Sequence, residues 1–111
     1  MEKKNLDWKH IGFAYHTTDY RYVADYKDGK WQEGYMSDSP NIVLNECAGI
    51  MQYCQEVFEG LKAYETADGR IVTFRSDLNA DRMYHSAERM EMPPFPKERF
   101  IEAVEKVVKA N

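Results

Sequence analysis

The clearest hydrophobic pattern lies towards the C-terminal end of the chain. Ala80, Met83, Tyr84, Ala87 and Met90 recur at helical spacing and form one apolar stripe. Ser76 or Asp77 stands just before it, placed to accept a backbone N–H as an N-cap. The run "MPPFPKE" ends that helix, and Pro96 suits the first turn of a second one. There Phe100, Ile101, Val104, Val107 and Val108 follow the spacing of a buried face. Glu102–Lys106 and Glu105–Lys109 pair across one turn on the wet side.

The first half is patterned differently. "GFAYHTTDYRYV" (Gly12 to Val23) is rich in aromatic and β-branched residues and predicts a strand. "YKDGKW" carries Asp28-Gly29, a tight-hairpin dipeptide, and "WQEGYM" reads as the returning strand. "SDSPN" is turn chemistry, followed by the short apolar run Ile42 to Leu44. "NECAGIMQYCQ" (Asn45 to Gln55) reads as one or two helical turns starting near Asn45 or Glu46, weakened by Gly49. A second Asp-Gly turn, Asp68-Gly69, precedes the returning "RIVTFR". Two hairpins followed by two helices predict an α+β fold, an antiparallel sheet built from hairpins with helices packed on it.

Between the hairpins, "QEVFEGLKAY" (Gln55 to Tyr64) is expected as a strand but does not alternate cleanly. Val57, Glu59, Leu61 and Ala63 form one row, and Phe58, Gly60, Lys62 and Tyr64 the other. A glycine inside a strand leaves room for something to approach the backbone. Gly60 next to Phe58 therefore suits a flat or branched apolar ligand, although Tyr53, Phe58 and Tyr64 read equally well as core aromatics. Glu56 and Glu59 read as a solvated strand edge or as a marked carboxylate pair. Arg82, one position before Met83, also has two readings. It is a snorkelling arginine at the edge of a core stripe, or an anion clamp whose guanidinium offers two parallel N–H bonds.

Composition narrows the function classes. At 111 residues the chain is expected to form one domain, residues 1–111. A net charge of −4 supplies no basic face to track phosphodiester, which argues against nucleic acid as the partner. No run approaches the ~18 apolar residues of a membrane span, and the N-terminus has no apolar region of a signal peptide. Cys47 and Cys54, one heptad apart on a helix, are too far to bridge and predict reduced thiols in a cytoplasmic protein. His10, His16 and His85 are scattered, so no metal site is expected. There is no Gly-rich phosphate loop, G-x-S-x-G elbow, C-x-x-C or H-E-x-x-H. The valine-rich end of the second helix needs a surface to cover, which suggests a protein that continues past Asn111.

"VFEGLKAY", an Asp-Gly hairpin, "FRSDLNADRMYHSA" and a proline-marked helix, in that order, closely resemble branched-chain amino-acid aminotransferases. These are pyridoxal-phosphate enzymes of the class IV aminotransferase fold. The resemblance runs from about Gly12 to the chain end and is strongest from Tyr53 to Met92. It implies the small N-terminal domain of a homodimeric enzyme. Such an enzyme transfers the amino group of leucine, isoleucine or valine to 2-oxoglutarate by a ping-pong route. It further implies that Arg82 binds the cofactor phosphate and that Phe58 and Gly60 line the substrate side-chain pocket. Tyr53 would reach towards the pocket of the neighbouring subunit, and Phe13 or Tyr15 in the first strand is a further candidate. Lys62, Lys97, Lys106 and Lys109 match no catalytic-lysine position, so no catalytic residue is expected here and the piece alone should be inactive. Within the same class, a D-amino-acid aminotransferase or an aminodeoxychorismate lyase is the alternative. Outside it, the alternative is a stand-alone binding or dimerisation module. The resemblance places Glu59 inside the motif without giving it a role.

Overall fold

A computed structural model describes residues 6–111. The element order is β1 (Arg21–Val23), β2 (Tyr26–Lys27), β3 (Lys30–Trp31), β4 (Tyr35–Ser37), α1 (Gly49–Tyr53), β5 (Ala63–Glu65), β6 (Ile71–Thr73), α2 (Ser76–Arg89) and α3 (Lys97–Ala110). The fold is α+β, as the pattern predicts, with short antiparallel ladders in place of one broad sheet.

The first hairpin is one long ribbon broken by a bulge. β2 and β3 pair at its tip around Asp28 and Gly29, whose φ values of 52 and 75° are both left-handed. That geometry matches the twist of the flanking strands. Further down, β1 pairs with β4, Tyr22 opposite Met36. Between the two ladders Ala24 and Asp25 face three residues, Gln32, Glu33 and Gly34. The Gln32 N–H donates to the Asp25 carbonyl at 2.8 Å across this bulge. Gly34 is required by close approach, because a Cβ there would lie 1.9 Å from the Tyr22 hydroxyl.

The strand expected over Gly12–Val23 is confined to Arg21–Val23. Residues 12–20 have the composition of a strand but no neighbouring ladder, and strand propensity without a partner does not make a strand. The same holds for "QEVFEGLKAY", of which only Ala63 and Tyr64 enter a strand. Upstream of β5 the segment nonetheless alternates. Gln55, Val57, Glu59 and Leu61 are half-buried, whereas Glu56, Phe58, Gly60 and Lys62 are exposed. β5 and β6 then close over a three-residue loop, with the Thr66 N–H on the Arg70 carbonyl at 2.8 Å and Gly69 at φ 81°.

The helices also refine the expectations. α1 covers only Gly49–Tyr53, because Asn45 Oδ1 takes the Cys47 N–H at 2.8 Å and forms a turn before the helix can start. Gly49 is thus its first residue. Cys47 and Cys54 are both free and flank α1, so they do not share its face. At α2 the expected N-cap bond from Ser76 or Asp77 is not formed. Arg75 occupies the cap position in a left-handed conformation, φ 50°, and its guanidinium grips the Asp77 carboxylate through bonds of 2.9 Å. Ser76 and Asp77 thus stand inside the helix, past the cap position, and the Asp77 charge in the first turn suits the helix dipole. Pro96 precedes α3 as its cap residue, one position earlier than expected, and its carbonyl accepts the Phe100 N–H at 2.9 Å.

α2 packs on α3, and α3 also touches β1. Ala80 and Ala87, at 2% and 5% exposure, are the fully buried apolar residues among those described, and alanines let the helices approach closely. Lys97 bridges to Asp81 at 2.6 Å across the helix pair. Trp31 ties the hairpin tip to the proline linker: its indole N–H donates to the Pro94 carbonyl at 2.9 Å, and its ring meets Phe95 edge-on at 4.9 Å. At the far end, the Asn111 side-chain amide accepts the Asp19 and Tyr20 N–H groups at 2.7 and 3.0 Å. Its own N–H₂ donates to the Tyr20 and Val107 carbonyls, each at 2.9 Å.

Large apolar side chains are widely exposed. Val43, Phe58, Phe74 and Tyr53 are 97, 92, 82 and 83% accessible. The radius of gyration is 15.6 Å, against roughly 13 Å for a compact domain of this length. The accessible surface is 9306 Å², where a monomeric protein of this mass has roughly 6,400 Å². Among the described residues no helix is long and apolar enough to cross a membrane.

Candidate functional site

The chemistry concentrates where the Glu59–Gly60 segment crosses α2. Asn79 and Arg82 lie three residues apart, hence on one face of the helix. Asn79 is a buried polar residue, 7% exposed, and its amide N–H₂ donates to Glu59 Oε1 at 2.9 Å and to the Gly60 carbonyl at 3.0 Å. Arg82 donates its Nε–H to Glu59 Oε2 at 3.0 Å and an Nη2–H to Oε1 at 2.6 Å. The Gly60 N–H adds a further bond to Oε1 at 3.0 Å. One carboxylate thus gathers four N–H donors.

The pair is lopsided. The Glu59 side chain is 8% exposed and that of Arg82 is 62% exposed. Bonding to Arg82 holds the Glu59 carboxyl below its ordinary range, against the opposing effect of burial and with help from Asn79 and the Gly60 N–H. Reciprocally, Glu59 raises the pKa of Arg82. The fork uses the Nε side of the guanidinium and leaves both Nη1 hydrogens and one Nη2 hydrogen clear of Glu59. Chemically, this is an arginine with a fixed orientation and an open end of three N–H donors.

The expected substrate-facing residues fall nearby in the chain. Phe58 and Gly60 flank Glu59 in the exposed row, and the Phe58 ring lies over Gly60. A Cβ at Gly60 would meet Phe58 Cε1 at 3.6 Å, an ordinary contact, so bulk at residue 60 is not excluded by the fold itself. Tyr53 ends α1 and takes no part in the Glu59 network. Phe13 and Tyr15, expected on the first strand, lie in the irregular segment before β1 and are 110 and 78% exposed.

Lys97 and Lys106 are poor nucleophiles. Lys97 is held by Asp81 at 2.6 Å and Lys106 by Glu102 at 2.6 Å, and these carboxylates raise both pKa values. An amine nucleophile needs the opposite shift. Lys109 pairs with Glu105 at 3.4 Å, and Lys62 is exposed. Among the described residues no cluster of His, Cys, Asp or Glu is arranged to hold a metal ion.

A second feature is an open apolar groove of about 670 Å³ between β1, the Glu59–Ala63 segment and α3. Tyr22, Leu61, Met83, Phe100, Val104 and Val107 line it, so the valine face of α3 is incompletely covered.

Sequence reasoning singled out Glu59 without giving it a role or a partner, and it missed Asn79. The usable signal was the inward row Val57, Glu59 and Leu61: a carboxylate among apolar residues needs a buried partner, and Arg82 is the cation on the adjoining helix.

No family model matches the chain. Curated relatives do. It is 47% identical over 108 residues to a branched-chain-amino-acid aminotransferase of Haemophilus influenzae, covering 97% of this chain and 32% of that protein. A branched-chain-amino-acid aminotransferase of Helicobacter pylori is 43% identical over 108 residues, with the same coverage of both chains. A methionine aminotransferase of Arabidopsis thaliana is 42% identical over 108 residues, covering 96% of this chain and 30% of that protein. The chain thus spans about a third of the length of the curated relatives it matches. By sequence, over nearly all of its residues, it is similar to part of these branched-chain-amino-acid aminotransferases.

Proposed function

We propose that this chain is the part of a pyridoxal-phosphate-dependent branched-chain aminotransferase that anchors the cofactor phosphate and forms one wall of the substrate pocket. The observation that carries this reading is Arg82: in a chain with these relatives, a guanidinium is held by a buried carboxylate with three N–H groups facing outwards. That donor set fits a phosphate. Pyridoxal phosphate, when bound, supplies the electron sink that makes the amino acid's α-proton acidic. The chain's own contribution is to hold and orient. Arg82 binds the anion, and Phe58 with Gly60 offers an apolar surface beside it. Tyr53 faces the pocket of a second subunit in a homodimer. The proton-moving lysine and the groups that grip the pyridine ring belong to a region of the enzyme outside these residues, so this piece alone is inactive. The enzyme works in the cytoplasm on leucine, isoleucine or valine with 2-oxoglutarate.

An apolar wall separates side chains that differ by one methylene by only about 1–3 kcal/mol. The methionine aminotransferase among the relatives agrees with such modest discrimination. The test is to assay the full-length protein with 2-oxoglutarate and L-leucine, L-methionine or D-alanine. Leucine is expected to be the best of the three. Turnover of D-alanine exceeding that of leucine overturns the branched-chain assignment in favour of a D-amino-acid enzyme.

A further inference from the structure

We propose that Glu59 is a positioning residue that aims the guanidinium of Arg82 and ties the anion site to the apolar wall at Phe58–Gly60. The inference rests on the reading of Arg82 as the phosphate anchor.

A carboxylate beside an anion-binding arginine is unexpected on charge alone, because it cancels the positive charge that attracts the ligand. Glu59 is nearly buried, and a buried carboxylate is tolerated only when it is paired and fully hydrogen-bonded. Something must offset the lost charge, and geometry can. Asn79 and Arg82, one helical turn apart, grip the same carboxylate, and Asn79 also holds the Gly60 carbonyl. The guanidinium plane is thereby fixed relative to α2 and to the backbone on either side of Glu59. With the Nε edge occupied, an anion can engage only the Nη1–Nη2 end, along the axis of the side chain. A long exposed side chain held this way has less freedom to lose when the ligand arrives. Gly60 is held by the same contacts through its N–H and its carbonyl, and Phe58 is the residue just before Glu59. The spacing between anion and substrate side chain is thus set by one residue.

The experiment uses the full-length protein and compares the affinity for pyridoxal phosphate with that for pyridoxal, which lacks the phosphate. Absorbance titration of the apoprotein gives both. Arg82→Ala is expected to weaken pyridoxal phosphate by roughly a hundredfold and leave pyridoxal within about twofold. Glu59→Gln should weaken pyridoxal phosphate by roughly tenfold, again sparing pyridoxal. Glu59→Asp, which keeps the charge and loses the reach, should behave like Glu59→Gln and serves if that variant does not fold. The double variant Glu59→Gln/Arg82→Ala should be no worse than Arg82→Ala, because Glu59 acts through Arg82. If Arg82→Ala leaves the ratio of the two affinities unchanged, the anchor reading falls and this inference with it. If Arg82→Ala changes the ratio and neither Glu59 variant does, or if the two losses add in the double variant, positioning by Glu59 is overturned while the anchor stands. Glu59 variants that lower the melting temperature but leave the ratio unchanged likewise overturn positioning and spare the anchor.

Discussion

Glu59 and Arg82 stand twenty-three residues apart in the chain and meet through two parallel hydrogen bonds of 3.0 and 2.6 Å. The carboxylate end of the pair is buried and the guanidinium end faces water. This asymmetry gives the pair a definite response to acid.

The Glu59 carboxyl titrates below its ordinary value of 4.5, chiefly because Arg82 bonds the ionised form. A depressed folded-state pKa contributes stability above the unfolded value and loses it as pH falls through the folded one. The wild-type full-length protein should therefore melt above Glu59→Gln at about pH 7, and the gap should narrow as the pH is lowered below 4.5. Asp68, Asp77 and Glu102 are also shifted down, so the comparison with the variant, not the acid transition itself, isolates Glu59. A gap that is unchanged at the lower pH would show that ionised Glu59 does not stabilise the fold.

Tyr22 lies across Gly34 so closely that a side chain there collides with the ring. Gly34→Ala in the full-length protein should cost about 1–3 kcal/mol in urea unfolding. In a Tyr22→Ala background the same change should cost a few tenths of that. Equal costs in both backgrounds would mean that the glycine answers to backbone conformation and not to the tyrosine.

The surface excess of the chain bears on its behaviour in isolation. Its accessible area exceeds the monomer expectation by roughly the amount that a large obligate interface removes, and Ile42, Val43, Phe58 and Phe74 lie in the open. Expressed alone, residues 1–111 should bind a hydrophobic dye and self-associate at micromolar concentration. Light scattering that finds a monodisperse monomer with no dye binding would contradict apolar exposure on this scale.

Features set by neighbours in sequence were legible in advance. Both Asp-Gly hairpins, the α2 and α3 stripes and the two Glu–Lys pairs follow from local chemistry, and all are present except that Met90 caps α2 and is exposed. Features that depend on partners distant in the chain were not. Residues 12–20 and 55–62 look like strands because their side chains suit one, but a ladder needs a neighbour and none is adjacent. The cap of α2 differs from the expected one because the helix begins at Ser76, which leaves the cap position to Arg75, itself bound to Asp77. At the candidate site, periodicity placed Arg82 beside the core stripe and left its purpose open. Only the fold brings Glu59 to it, so the least explained residue of "QEVFEGLKAY" became the one with the most partners.

The Asn111 amide has an effect in time as well as space. It satisfies the Tyr20 N–H and carbonyl just before β1 begins, as a neighbouring strand would. The two residues are ninety-one positions apart. A ribosome releases Tyr20 long before it makes Asn111, so β1 must emerge with its leading edge unclasped. The first of the described strands to be synthesised is therefore the one whose bonding waits for the residue that caps α3.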